Sequence, residues 1–524
     1  MNIEEAVAAV AAGTLTEHEA VMAVSPTVVE AALHAQFDGR GTAIATGIGA
    51  SPGAAVGQVY FDVEGCLDGA DRGELVILAS NETSPADEIA MRMAEGIITA
   101  KGGIASHAAV VARGWGIPAV CGANSLTFSD GLMHTGGETI AAGDTISLDG
   151  GTGEIFLGDL VVRGGGGSDA LDTLLGWADA IRSDKVGIRA NADSAADALQ
   201  ARSLGAEGIG LCRTEHMFLG ERLPLVQNVI LAANDQAATR ALDALGEMQR
   251  SDFVELLEAM DGLPVTIRLL DPPMHEFLPD ATELAVAEAM GTLDAHGAAL
   301  ATAVHHWSEQ NPMLGTRGVR LAIVRDGLYR MQVRSILRAI AERTAAGGTP
   351  IVGIMIPLVS DVAELEMVKA WIAEELETVD PDTLGEILVG TMIETPRAAL
   401  TASQLAPVAE FFSFGTNDLT QLTWGFSRDD VEARVISRYQ DLGILDANPF
   451  ERLDRIGVGA LVASAIASGR EANPDLEIGV CGEHGGDPSS IEFFVGVGID
   501  YVSCSPYRVP IARLALAQAI GVGD

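Results

Sequence analysis

Apolar positions recur at helical spacing along residues 1–40, with Pro26 as a break, and predict a short helical leader with too few residues to build a core of its own. From Gly47 the pattern shortens to β-rich runs punctuated by glycine: GQVYF (57–61), ELVILAS (74–80), EGIITA (95–100), IPAVCG (117–122), DTISLDG (144–150) and GEIFLG (153–158). A small α/β domain is therefore expected over 41–162. The four-glycine run 164–167, followed by Ser168, has the composition of a flexible linker, placed at 163–170. Over 171–524, strand-like runs alternate with longer helical patterns: VGIRANAD (186–193), GIGLCRTE (208–215), LPVTIRLLD (263–271), PIVGIMIPL (350–358), EILVGTMIE (386–394), FFSFGTND (411–418), EIGVCGEHG (477–485) and IDYVSCSP (499–506). Eight such runs, each separated by at least one helix length, predict an α/β fold ending in a (β/α)8 TIM-type barrel. The long connection 272–327 predicts an excursion from it.

Composition narrows the partners. Among 524 residues, 32 Lys and Arg stand against 73 Asp and Glu, a formal net charge of −41, so nucleic acid and anionic membrane surfaces are poor matches. A hydrophobic fraction of 48% excludes global disorder. The five cysteines are scattered, with no CxxC pair, which fits a reducing compartment better than a disulfide framework. Glu4 and Glu5 stand where a signal peptide carries basic residues, and no run reaches the roughly 18 apolar residues of a membrane span. The expectation is a soluble, cytoplasmic protein.

In a barrel of this kind the reactive groups emerge where strands run out into the following loops. Those ends carry Arg213, Glu215, Arg268, Asp271, Glu394, Asn417, Asp418, Cys481, Glu483, His484 and Ser503 to Ser505. Taken singly, each has a plain structural explanation: a helix cap for a carboxylate, an ion pair for an arginine, a buried small hydrophobe for Cys481. Their convergence on one mouth favours a site instead. Glu394 and Asp418, with the amide of Asn417 beside them, can hold a hard cation such as magnesium, and the arginines can hold oxyanions. Together these point to a small, multiply anionic ligand such as a phosphorylated carboxylic acid. In the smaller domain, GGIASHAAVVARG (102–114) places His107 at the start of a helix behind Gly102 and Gly103, where backbone N–H groups can receive a phosphoryl group. His107 is the candidate phosphoryl carrier. The other histidines read as ordinary surface or neighbouring groups.

These segments resemble the pyruvate, phosphate dikinases among the phosphoenolpyruvate-utilising enzymes. GGIASHAAVVARG is similar to the family's phosphohistidine motif. GIGLCRTEHMF (208–218), GLPVTIRLLDPPMHEFLP (262–279), NPMLGTRGVRL (311–321), TMIETPRAAL (391–400), FFSFGTNDLTQ (411–421), CGEHGGDPSS (481–490) and YVSCSPYRVPIARLA (501–515) are similar to its barrel motifs, in the family's order. The resemblance implies a swivelling phosphohistidine domain followed by the C-terminal barrel, with phosphoenolpyruvate and pyruvate as substrates. His107 would take the phosphoryl group, and Glu394 and Asp418 would hold Mg²⁺. Arg213, Arg268 and Arg317 would grip the phosphoryl group, with Thr416 and Asn417 in the same substrate-binding set and Asn417 helping to place the carboxylate. Cys481 would exchange a proton with the enolate carbon. A homodimer is the family's expectation.

Three departures accompany the resemblance. Only some forty residues precede the small domain, so the family's N-terminal ATP-grasp domain is not among them, and a separate nucleotide-binding chain is expected to serve full turnover. Ala105 stands where the family has a threonine two residues before the histidine, and Thr316 where it commonly has histidine. Two other functions compete with a dikinase-like phosphotransferase. One is a protein phosphotransferase like the sugar-transport Enzyme I, against which the lack of room for a carrier-docking insertion counts. The other is a non-catalytic phosphoenolpyruvate-binding protein, which would need neither His107 nor Cys481.

Overall fold

The computed structural model describes residues 1–522 except 40, 85–86, 104–105, 130, 164–167, 219, 233 and 326. The glycine run 164–167 and Ala105 thus lie outside the described residues. The chain divides into two compact units, Met1–Ile181 with Ser427–Asn448, and Arg182–Phe426 with Pro449–Asp524.

The first unit opens with helices Ile3–Ala11, Glu17–Ala23 and Pro26–Leu33. Asn2 and Thr16 start the first two as capping boxes closed by Glu5 and Glu19. Pro26 begins the third helix, at a position whose N–H has no helical partner in any case, so the predicted break falls at a helix start. An eight-stranded sheet follows. Its parallel centre consists of Ala54–Tyr60, Val76–Ser80, Gly96–Thr99 and Ala119–Cys121, and antiparallel strands flank it on both sides. All six predicted β runs are strands. A three-stranded antiparallel sheet, Thr127–Ser129, Leu132–Thr135 and Glu138–Ala141, was not anticipated, because its short strands are half polar and give no clear alternation. Helix His107–Trp115 follows strand Gly96–Thr99 through a turn at Gly102, whose φ of 102° suits glycine and where a Cβ would sit 2.8 Å from Ser106 Cβ.

The second unit is a closed parallel barrel of eight strands in sequence order. They are β1 (Gly187–Asn191), β2 (Ile209–Arg213), β3 (Pro264–Arg268), β4 (Ile351–Ile356), β5 (Glu386–Ile393), β6 (Phe411–Phe414), β7 (Glu477–Val480) and β8 (Tyr501–Cys504). Each predicted barrel run contains one of them. The expected excursion lies between β3 and β4 and includes helices Ala281–Met290, Ala295–Trp307 and Gly318–Val324.

Barrel closure depends on a missing side chain. Register places Ser413, Gly479 and Tyr501 in one row across β6, β7 and β8, and the Tyr501 ring lies over Gly479, where a Cβ would be 2.0 Å from Cζ. The ring thereby fills the interior beneath the site, with Tyr501 buried at 2% exposure. Gly479→Ala is expected to destabilise the protein by about 1–3 kcal/mol through overpacking. Urea unfolding checks this, and Tyr501→Leu in the same chain should recover part of the loss.

Candidate active site

Strand ends supply most of the site. Arg213 ends β2 and Arg268 ends β3, while Glu394 and Cys481 directly follow β5 and β7. Thr416, Asn417 and Asp418 form the first turn of the helix Thr416–Trp424 beyond β6. Arg317 arrives differently, from the excursion, immediately before the helix Gly318–Val324. The Gly318 N–H donates to the Asp271 carbonyl at 2.7 Å and so fastens that segment to the loop after β3.

These side chains form an alternating web of charges. Arg268 donates to Glu215 and lies 3.0 Å from Asp271. Arg317 donates to both Asp271 oxygens and reaches Asp418 at 3.1 and 3.3 Å. Every member is buried or nearly so, which makes pairing obligatory. Burial opposes the charge of Asp271, but Arg268 and Arg317 overcome it and hold its carboxyl below the ordinary range. The same carboxylates raise both guanidinium groups above their ordinary value against the pull of burial.

Glu394 is placed otherwise. It is fully buried, and its Oε1 accepts the Leu358 N–H at 2.6 Å. Leu358 presents that N–H from a left-handed conformation, φ 59°, the sole non-glycine one among the described residues. Glu394 Oε2 has no hydrogen-bond partner among them. Burial, then the charges of Asp418 and Asp271, push this carboxyl well above the usual range. Asp271, Glu394 and Asp418 each bring one oxygen to within 4.8 Å of the others. An all-oxygen set with one unpaired buried oxygen fits a hard divalent cation, with Glu394 and Asp418 as the natural ligands because Asp271 is held by two arginines.

Around this centre, Asn417 Oδ1 is also buried without a hydrogen-bond partner among the described residues. Thr416 is held by His484, whose Nδ1 lies 2.7 Å from Thr416 Oγ1 and whose Nε2 lies 2.9 Å from the Pro449 carbonyl. A carbonyl only accepts, so the neutral ring carries its proton on Nε2 and takes the Thr416 hydroxyl at Nδ1. Cys481 is 2% exposed among Leu211, Met355, Met392 and Phe411, and its thiol donates to the Phe414 carbonyl at 3.7 Å. Burial pushes that thiol up to about 11. The Cys481 carbonyl accepts from Asn191 Nδ2 at 3.0 Å, and Ser503 donates to Asn191 Oδ1 at 2.6 Å.

Arg213 forms a separate pair: its backbone N–H and its guanidinium bind Asp193 at 2.7 and 2.8 Å, and His216 Nδ1 meets the same carboxylate at 2.7 Å. Asp193 ends the predicted first barrel run, and the strand-end rule extended to that run would have found it. In the first unit His107 is the first residue of its helix, with Ser106 as N-cap, and its ring lies between Thr83 and Glu88. No local sequence signal marks those two residues. Strand Val76–Ser80 pairs in parallel with Gly96–Thr99, so both strands run out toward the same edge, the one at which Thr83 and Glu88 meet His107.

Residues 171–520 match the family described as "PEP-utilising enzyme, PEP-binding domain", and residues 73–153 match "PEP-utilising enzyme, mobile domain". The chain is 48% identical to the chloroplastic pyruvate, phosphate dikinase of Flaveria pringlei, over 97% of its own length and 54% of that protein. It is 46% identical to the pyruvate, phosphate dikinase of Clostridium symbiosum, over 97% of its length and 59% of that protein. The chain therefore spans little more than half the length of these curated relatives. With its fold, its domain order and these identities in agreement, the chain belongs to the PEP-utilising enzymes.

Proposed function

We propose that this chain interconverts phosphoenolpyruvate (PEP) and pyruvate through a phosphohistidine at His107, the PEP-side half of a pyruvate, phosphate dikinase reaction. The observation that carries the reading is the barrel mouth: a buried arginine–carboxylate web beside a carboxylate oxygen with no partner. Such a site recognises a small phosphorylated carboxylate together with a cation. The nucleotide half of the reaction is assigned to a nucleotide-binding unit outside these 524 residues. No helix among the described residues is long and apolar enough to cross a membrane. The family resemblance, independently of that, makes a cytoplasmic homodimer the proposed working form.

In this reading Arg213, Arg268 and Arg317 hold the phosphoryl oxygens, exchanging part of their carboxylate pairing for substrate. Thr416, fixed by His484, and Asn417, with its unpaired Oδ1, orient the carboxylate end. Glu394 and Asp418 would hold Mg²⁺, which would supply Lewis acidity for the negative charge that develops as the enolate forms. The His107 imidazole attacks phosphorus, the bridging P–O bond breaks, and the electron pair stays on the enolate. Cys481 then delivers its thiol proton to the methylene carbon. A thiol raised to about 11 is protonated at neutral pH and suited to donate in this direction. Positioning and charge neutralisation do most of the remaining work, as phosphoryl transfer requires.

Incubation with Mg²⁺ and phosphorus-labelled PEP tests this directly. Acid-labile, base-stable label and stoichiometric pyruvate are expected, and His107→Ala should remove both while the chain stays folded. A folded wild type that binds PEP yet gives neither label nor pyruvate would leave only a binding function. In the reverse direction Cys481 must act as thiolate, and its raised pKa keeps that form scarce. Deuterium uptake into the pyruvate methyl group, followed by NMR, should therefore rise about tenfold per pH unit between about pH 7 and 9 and vanish in Cys481→Ala.

A further inference from the structure

Both ring nitrogens of His107 are engaged. Nδ1 lies 3.2 Å from Thr83 Oγ1, and Nε2 lies 3.3 Å from Glu88 Oε1. A carboxylate only accepts, so in the neutral ring the Glu88 contact places the proton on Nε2 and leaves the lone pair on Nδ1, where the Thr83 hydroxyl donates. A nitrogen that carries a proton has no lone pair with which to attack phosphorus. Nε2 is the outer nitrogen of the ring, the one farther from the backbone, and its partner Glu88 is 46% exposed, so this side of the ring can be cleared by a side-chain rotation.

We propose that Glu88 is a positioning residue that latches the uncharged His107 in its Nε2–H tautomer, must swing away for phosphoryl transfer, and by its charge disfavours the phosphohistidine. This rests on the reading of His107 as the phosphoryl carrier. On release the ring proton resides on Nδ1 and is donated to Thr83 Oγ1, which freely reverses its role. The Nε2 lone pair then forms the N–P bond. The bridging P–O bond of PEP breaks, its electron pair goes to the enolate oxygen, and the enolate takes a proton at its methylene carbon to give pyruvate. The ring keeps its Nδ1 proton throughout. A phosphoryl group on Nε2 stands where the carboxylate stood in contact, so like charges face each other across a few ångströms. The latch thus prevents idle attack and keeps the phosphoryl group easy to pass on.

Two substitutions separate the hydrogen bond from the charge. Glu88→Gln retains an acceptor for Nε2–H and loses the charge, whereas Glu88→Ala loses both. With the full chain labelled with ¹⁵N in histidine, and the His107 signals assigned through His107→Ala, the wild type and Glu88→Gln should show the proton on Nε2. Glu88→Ala should shift it toward Nδ1. At a fixed ratio of labelled PEP to pyruvate, Glu88→Gln should raise the ratio of phosphorylated to free protein roughly fivefold, the size of one unit-charge repulsion at about 4 Å in water, and Glu88→Ala, which also loses the bond to the free ring, at least as much. Glu88→Asp should restore most of the wild-type ratio. An unchanged tautomer in Glu88→Ala, or an unchanged phosphorylation ratio in both variants, would overturn the latch. Absence of label in the wild type and every variant would instead overturn the phosphoryl-carrier reading, and the tautomer measurement would then decide the latch alone.

Discussion

The barrel mouth is governed by the requirement that buried charges be neutralised. Arg268 and Arg317 are threaded between Glu215, Asp271 and Asp418, and Glu394 stands beside them with one oxygen unpaired. Among these six side chains, two guanidinium groups face four carboxylates, a formal excess of negative charge in a space that water cannot easily relieve. The excess collects on Glu394, whose carboxyl is pushed toward its protonated form by burial and by Asp418 and Asp271. A divalent cation suits that excess in sign and donor type.

The rest of the barrel serves this constraint. Strands β2, β3, β5 and β7 deliver Arg213, Arg268, Glu394 and Cys481 to one end of the cylinder. The row Ser413, Gly479 and Tyr501 packs the interior below them. Leu358, held in a left-handed conformation, points an N–H at Glu394 that an ordinary extended residue would aim elsewhere. In the first unit a parallel pair of strands does comparable work, bringing Thr83 and Glu88 to the ring at the start of helix His107–Trp115. Short local elements set each reactive group, and the closed sheet fixes where those elements point.

How much of this the chain discloses unfolded depends on the range of the interaction. The eight barrel strands were legible because buried parallel strands read as continuous apolar runs. The polar residues ending those runs were legible because the architecture sends strand ends to one mouth. Arg317 was reachable only through resemblance, since its place follows from an excursion whose return path no local pattern sets. The three-stranded sheet at 127–141 escaped because half-exposed strands of three or four residues lack periodicity. Thr83 and Glu88 escaped because they meet His107 only after strands pair across a stretch of chain. Nor does sequence mark an unpaired oxygen: Glu394 looks like any acidic residue after a strand until its neighbours are in place.

The central claim is that Glu394 and Asp418 receive a divalent cation at the barrel mouth. Titration of the full chain with Mn²⁺, monitored by loss of the free-ion electron paramagnetic resonance signal, tests it most directly. One site per chain is predicted, competed by Mg²⁺ and lost in both Glu394→Gln and Asp418→Asn, with the fold retained by circular dichroism. Mn²⁺ binding that is absent from the wild type, or that survives in both folded variants, would contradict it.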